Sequence, residues 1–237
     1  MKDMLKDYYR SLNVDEKVFE YCNSVEEKLK DRFAAIDAVS ELNQLKVLKA
    51  MQDNRLSEAH FAGSSGYGYT DDGRDALERI YADVFHTEDA LVRTQIVCGT
   101  HALCTAMFGN LRPGDEILAI AGKPYDTLDE IIGIRESRGS LAEYGVTYAQ
   151  VDLLPNVDFD IDGIKNAINS RTRLVEIQRS KGYAVRKTLS VQQIGEAIKA
   201  VKSVNPDIIC MVDNCYGEFV QDIEPSDVGA DLVVGSL

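Results

Sequence analysis

Positive charge is scarce in this sequence: 26 Lys and Arg stand against 39 Asp and Glu, a formal net charge of −13. Nucleic-acid and anionic-membrane surfaces are built on a Lys/Arg excess, so the balance argues against both partners, although a local basic pocket stays compatible with it. No apolar run approaches the roughly 20 residues that span a bilayer. The opening stretch, MKDMLKDYYR, has no apolar core of the kind a signal peptide carries. The three histidines, His60, His86 and His101, are far apart and show no metal-ligand spacing. Five cysteines, Cys22, Cys98, Cys104, Cys210 and Cys215, form neither a CxxC pair nor a disulfide framework. A reduced, cytoplasmic protein without a metal centre is expected. GSSGYGY has the order G-x-x-G-x-G with no strand before it, and there is no G-x-x-x-x-G-K-[ST], so both common nucleotide loops are missing.

What is present is a core-forming composition. Of 237 residues, 45% are hydrophobic, enough for one large α/β domain or a domain with a smaller appendage. The first sixty residues read as helix. Ser24 and Glu27 have capping-box spacing ahead of the apolar series Val25, Leu29, Phe33, Ile36. Three glycines in HFAGSSGYGY end that pattern, and a further helix is expected from about Asp71 to Phe85. Beyond residue 90, short β-rich runs alternate with helical stretches. Strands are expected at 91–97, 116–120, 146–152, 173–178, 208–212 and 231–235. Helices are expected after Cys98, at 125–134 and 160–169, and after Ser190, which forms a capping box with Gln193 and whose helix Asn205-Pro206 stops. This alternation predicts a mainly parallel sheet with helices on both faces, and ligands in such sheets bind outside the carboxyl ends of the strands.

The strand ends therefore matter. IICMVDNCYGEF carries an apolar strand straight into Asp213. Burying a lone charge is costly without a partner, so Asp213 predicts a ligand cation, although DN is also a common turn and capping pair. CGTHAL places Gly99, Thr100 and His101 at a helix start suited to a phosphate, or at a plain strand-to-helix turn. Tyr125, after Pro124, offers a ring that could lie on a ligand or pack on the surface. Ser236 offers a hydroxyl to a phosphate or to its own turn. Lys181 in QRSKGY is a reactive or an anion-binding lysine, and Cys215 has no paired histidine to make it a nucleophile.

Taken in order, these features resemble the large domain of fold-type I pyridoxal-phosphate enzymes. More narrowly, GYGYTDDGRDALERIYADVF, QIVCGTHAL, QRSKGY, VDNCYGEF and ADLVVGSL resemble the aluminium-resistance family, a branch of the cystathionine beta-lyase and methionine gamma-lyase-like enzymes, over nearly the whole chain. The resemblance implies an N-terminal helical segment (1–62) and a large domain (63–237) that binds pyridoxal 5'-phosphate. It assigns Gly99, Thr100 and His101 to the phosphate, Tyr125 to the ring face, Asp213 to the ring nitrogen and Ser236 to the position just before the cofactor lysine. Tyr67 and Tyr69 match a segment that reaches a neighbouring subunit's phosphate, which implies a homo-oligomer. The Schiff-base lysine is expected just beyond Leu237, and the fold's usual C-terminal domain is missing from these residues. The implied activity is carbon–sulfur cleavage of a sulfur amino acid by β- or γ-elimination. A catalytically silent protein of the same fold, or a nucleotide-binding α/β domain, are the alternatives.

Overall fold

A computed structural model describes residues 2–65, 67, 69 and 71–237. Gly66, Gly68 and Thr70 of the GYGYT stretch lie outside the described residues. The chain divides into two compact units, Met1–Gln44 and Leu45–Leu237.

The N-terminal stretch is helical, with α1 at Lys2–Ser11 and α2 at Glu16–Asp53. Here the expected helix start at Ser24 is wrong. Ser24 lies inside α2, and its hydroxyl donates back to the Tyr21 carbonyl at 2.7 Å. A mid-helix serine can bond the preceding turn as readily as it can cap a new one.

The second unit carries α3 (Asp72–Phe85), α4 (Gly99–Asn110), β1 (Glu116–Ala119), α5 (Asp129–Ile132), β2 (Thr147–Gln150), α6 (Ile161–Ala167), β3 (Thr172–Gln178), α7 (Val191–Val204), β4 (Ile209–Asp213) and β5 (Leu232–Val234). The five strands form one sheet in the order β2-β1-β3-β4-β5, and every pairing is parallel. Parallel strands buried on both faces need continuous apolar runs rather than alternation, which EILA, LVEI and ICMV supply. On one face Leu118, Val175, Ile177 and Val212 pack against Ile164 of α6 and Ile194, Ile198 and Val201 of α7. On the other, Ile117, Leu174, Met211 and Val234 pack against Leu103 and Met107 of α4 and Ile132 of α5. Helices thus cover both faces, as expected.

One expected strand is absent. Residues 91–97 form no ladder, and a turn bond runs from Ile96 N–H to the Arg93 carbonyl at 3.0 Å. Glu78 of α3 explains this. Its carboxylate accepts the Val92 N–H at 3.0 Å and pairs with the Arg93 guanidinium, taking a backbone donor that a strand would give to its neighbour. A β-rich string becomes a strand only where a partner edge is available.

Candidate active site

Chain order reverses between β1 and β3: β1 is followed by β2 on one side, and β3, β4 and β5 lie on the other. Such a switch opens a crevice at the carboxyl ends of the strands. A cavity of about 710 Å³ lies there. The segment after β1 brings Tyr125 to it, the segment after β3 brings Lys181, the end of β4 brings Asp213 and Cys215, the residue after β5 brings Ser236, and α4 brings Gly99 and Thr100.

Asp213 is the last residue of β4. Main-chain bonds fix it from both sides, with Arg179 N–H donating to its carbonyl at 3.0 Å and Asn214 N–H donating to Val234 at 2.8 Å. Its carboxylate is 5% exposed. Among the described residues, the Cys215 main-chain N–H donates to Asp213 Oδ1 at 3.1 Å. No protein cation pairs with it among the described residues. Arg179, the adjacent buried cation, is committed elsewhere. Its guanidinium bonds Asn214 Oδ1 at 2.7 Å, the Gly217 carbonyl at 2.8 Å and Gln221 Oε1 at 3.0 Å, with Glu224 at 3.8 Å. Burial therefore raises the Asp213 carboxyl above the usual range, with the Cys215 hydrogen bond working against it. An incoming cation would reverse that shift.

The start of α4 forms the opposite wall. The first helical bond runs from Ala102 N–H to the Cys98 carbonyl at 3.1 Å, so the N–H groups ahead of it have no partner within the helix and suit an anion. Thr100 Oγ1 lies 3.1 Å from Thr127 Oγ1. Gly99 is needed here for space. A Cβ at Gly99 would sit 3.1 Å from Cys215 Sγ and 3.6 Å from Ser236 Cβ. Ser236 is held by its own N–H, which donates to Glu218 Oε1 at 2.7 Å.

Tyr125 leans against the β3 loop. A Cβ on Gly182, which has φ of +52°, would lie 3.2 Å from the Tyr125 ring, and the Tyr183 ring is 6.0 Å away. The Tyr183 hydrogen bond is the first cause raising the Tyr125 phenol. Lys181 is exposed on the same loop.

The structure thus brings Gly99, Thr100, Tyr125, Asp213 and Ser236 to one cavity, together with Lys181 and Cys215. It does not bring the other three named residues into that lining. The His101 ring is turned to the backbone, accepting the Val97 N–H at 3.3 Å, and only its place at the helix start remains near the site. Tyr67 and Tyr69 are 83% and 81% exposed, away from this cavity in the single chain. Cys215 is a poor nucleophile, because burial first, and then Asp213, push its thiol up to about 12.

Glu176 is the residue that motif reading missed. It is fully buried on β3, and neither carboxylate oxygen has a hydrogen-bond partner. The β3–β4 register sets Gln178 opposite Asp213, which puts Glu176 one pleat back on the same face. Burial, and then Asp213, raise its carboxyl well above the usual range, which favours its neutral form. Its signal was available as the lone acid inside the apolar run LVEI.

Among the described residues, no group of three or more His, Cys, Asp or Glu is arranged to hold a metal ion, and no helix is long and apolar enough to cross a membrane. Comparison with known proteins places the chain. A protein of Bacillus subtilis (strain 168), the uncharacterized YnbB, is 52% identical over 204 residues, covering 85% of this chain and 48% of that one. A solved structure from Clostridium acetobutylicum, provisionally named a cystathionine beta-lyase involved in aluminium resistance, is 47% identical with a TM-score of 0.93, covering 99% of this chain and 56% of that one. A carbon-sulfur lyase involved in aluminium resistance from Clostridium novyi NT is 46% identical with a TM-score of 0.92, covering 96% and 55%. The chain spans about half the length of these relatives. Its architecture is that of the large domain of fold-type I pyridoxal-phosphate enzymes, as the resemblance implied. The family model for methionine gamma-lyase matches residues 18–237, and the chain belongs to that family.

Proposed function

We propose that these residues form the cofactor-binding part of a pyridoxal 5'-phosphate-dependent carbon–sulfur lyase that cleaves a sulfur amino acid by β- or γ-elimination. The observation that carries this reading is Asp213, a buried carboxylate without a protein cation, facing a helix start with free N–H groups across one cavity. A molecule with an anion at one end and a cationic ring nitrogen at the other satisfies both. The cavity volume of about 710 Å³ falls in the range of small-molecule sites.

In this reading the N–H groups of Gly99, Thr100 and His101 hold the phosphate, with the Thr100 and Ser236 hydroxyls beside them. Tyr125 lies along the ring. Asp213 keeps the ring nitrogen protonated, because each charge stabilises the other's ionised form in a poorly solvated place. When bound, the cofactor supplies an electron sink that makes the substrate's Cα–H acidic. The chain's own part is to orient the ring and hold the proton at its nitrogen.

A homo-oligomer belongs to the same reading. Leu29, Phe33 and Ile36 occupy i, i+4 and i+7 of α2 and are 42%, 47% and 48% exposed, an uncovered stripe that supports assembly. Tyr67 and Tyr69 would then reach a neighbouring copy's phosphate.

The test uses the full-length protein. A visible absorption band as purified, release of a keto acid and a thiol from a panel of sulfur amino acids, and a dimer or larger by light scattering are expected. A colourless protein that fails to take up pyridoxal 5'-phosphate would remove the reading. A coloured but inactive one would favour the catalytically silent alternative.

A further inference from the structure

Arg179 meets the Asp213 segment twice. Its main-chain N–H donates to the Asp213 carbonyl at 3.0 Å. Its side chain, buried with the residue only 1% exposed, enters the loop that follows Asp213. There Nη1 donates to Asn214 Oδ1 at 2.7 Å and to the Gly217 carbonyl at 2.8 Å, and Nη2 donates to Gln221 Oε1 at 3.0 Å. Asn214 is turned for this from its other side. Its Nδ2 donates to Glu224 Oε2 at 3.0 Å, which leaves its oxygen for the guanidinium. The second oxygen of Glu224 accepts the Phe219 N–H at 2.8 Å. A Cβ on Gly217 would lie 2.8 Å from both Arg179 Cδ and Nη1, so loop and guanidinium are fitted without room for a side chain between them.

This loop needs holding. Tyr216 and Phe219 have φ of +68° and +62°, left-handed values that residues with side chains keep only where their surroundings impose them. The same loop presents the Cys215 N–H, which donates to Asp213 Oδ1 at 3.1 Å. Cys215 lies between Asn214 and Gly217, the two residues that Nη1 grips. The guanidinium thus sets the path of the turn, the turn sets where the Cys215 N–H points, and that N–H sets the rotation of the carboxylate. A planar fork reaches three acceptors at fixed angles, which no neutral side chain of this length can do.

We propose that Arg179 is a positioning residue: its guanidinium fixes the Asn214–Gly217 turn, so that the Cys215 N–H aims the Asp213 carboxylate at the cofactor's ring nitrogen. This rests on the functional reading above, which supplies the ring.

The experiment compares the full-length protein with Arg179→Met and Gly217→Ala. Each is stripped of cofactor and titrated with two probes, pyridoxal 5'-phosphate and its analogue with C–H in place of the ring nitrogen. Both probes carry the same phosphate and aldehyde, so a general loss of structure weakens them alike. A misaimed carboxylate weakens only the first. The parent's preference for pyridoxal 5'-phosphate over the analogue should fall about tenfold in Arg179→Met, the scale of one hydrogen bond to a charged group. Gly217→Ala keeps the arginine but sets a methyl group against it, so the preference should fall in the same direction; this variant decides the matter if Arg179→Met does not fold. An unchanged preference, or an equal loss for both probes, overturns the proposal. A second arm needs no cofactor. Hydrogen exchange of the peptide that holds the Cys215, Gly217 and Phe219 N–H groups should be about tenfold faster in either variant, with β1 exchanging as in the parent. Equal rates in that peptide overturn the clamp even where the titration agrees. Should pyridoxal 5'-phosphate fail to bind the parent, the functional reading falls and the exchange arm still decides whether Arg179 holds the turn.

Discussion

Asp213 illustrates how one side chain can be unfavourable for the folded protein and useful for its ligand. Asp213 is buried with the Cys215 main-chain N–H as donor and no protein cation among the described residues, so ionising it costs energy until a cation arrives. Asp213→Asn removes that cost and keeps the shape, and an amide oxygen can still accept the Cys215 N–H. The expected outcome is a variant at least as thermally stable as the cofactor-free parent but with turnover lower by about a hundredfold or more, the scale of losing one preorganised electrostatic group. Melting temperature and turnover of the full-length proteins check this, and comparable turnover would end the assignment. Asp213 was legible because a carboxylate closing an apolar strand is chemically conspicuous. Arg179 was not, since QRSK does not reveal that its guanidinium turns away from Asp213 to hold Asn214, Gly217 and Gln221. A Cβ at Gly217 would sit 2.5 Å from Asn214 Oδ1 and 2.8 Å from Arg179 Cδ, so this loop is fitted around a cation that the motifs did not single out.

Elements with local stop and start signals were the legible ones. α7 begins as expected, with Gln193 N–H donating to Ser190 Oγ at 3.2 Å and Ser190 N–H donating to Gln193 Oε1 at 3.0 Å. Both partners lie within one turn, so the signal needs no tertiary context. α7 then buries Ile194, Ile198 and Val201 against the sheet. Ser190→Ala should cost about 1 kcal/mol through the lost cap, seen as a lower denaturation midpoint with an unchanged slope; a loss of less than a few tenths would mean that packing alone sets the start of α7. Strand 91–97 failed for the opposite reason. Its residues have the right composition, but Glu78, distant in the chain, claims the Val92 N–H and the Arg93 side chain. Ser24 failed because a capping residue and a mid-helix serine differ only in what precedes them, and α2 already begins at Glu16.

For the whole molecule, the pair Glu176 and Asp213 makes stability depend on pH. Glu176 has a folded-state value raised well above the ordinary 4.5. A raised acid binds its proton more tightly folded than unfolded, so its contribution is fully present below about pH 4.5 and is lost as pH rises towards the folded value. Glu176→Gln should therefore stabilise the cofactor-free protein increasingly with pH above that point, by at most about 1.4 kcal/mol per pH unit. Melting temperatures across buffers from acid to mildly alkaline, at fixed protein concentration, check this; a gain that does not grow with pH would mean that Glu176 is ionised in the folded state. By itself the sequence determined the α/β alternation, the parallel sheet, the strand ends as the place to look and the family resemblance, because apolar periodicity, caps and turn residues act within a few positions. Only the tertiary structure decided that Cys215 donates to Asp213, that Gly99 makes room for a sulfur, that the His101 ring turns to the Val97 N–H and that Glu176 lies unpaired beneath the site. Those facts depend on strand order and register, which bring residues 99, 125, 176, 213 and 236 together across distances that no local pattern spans.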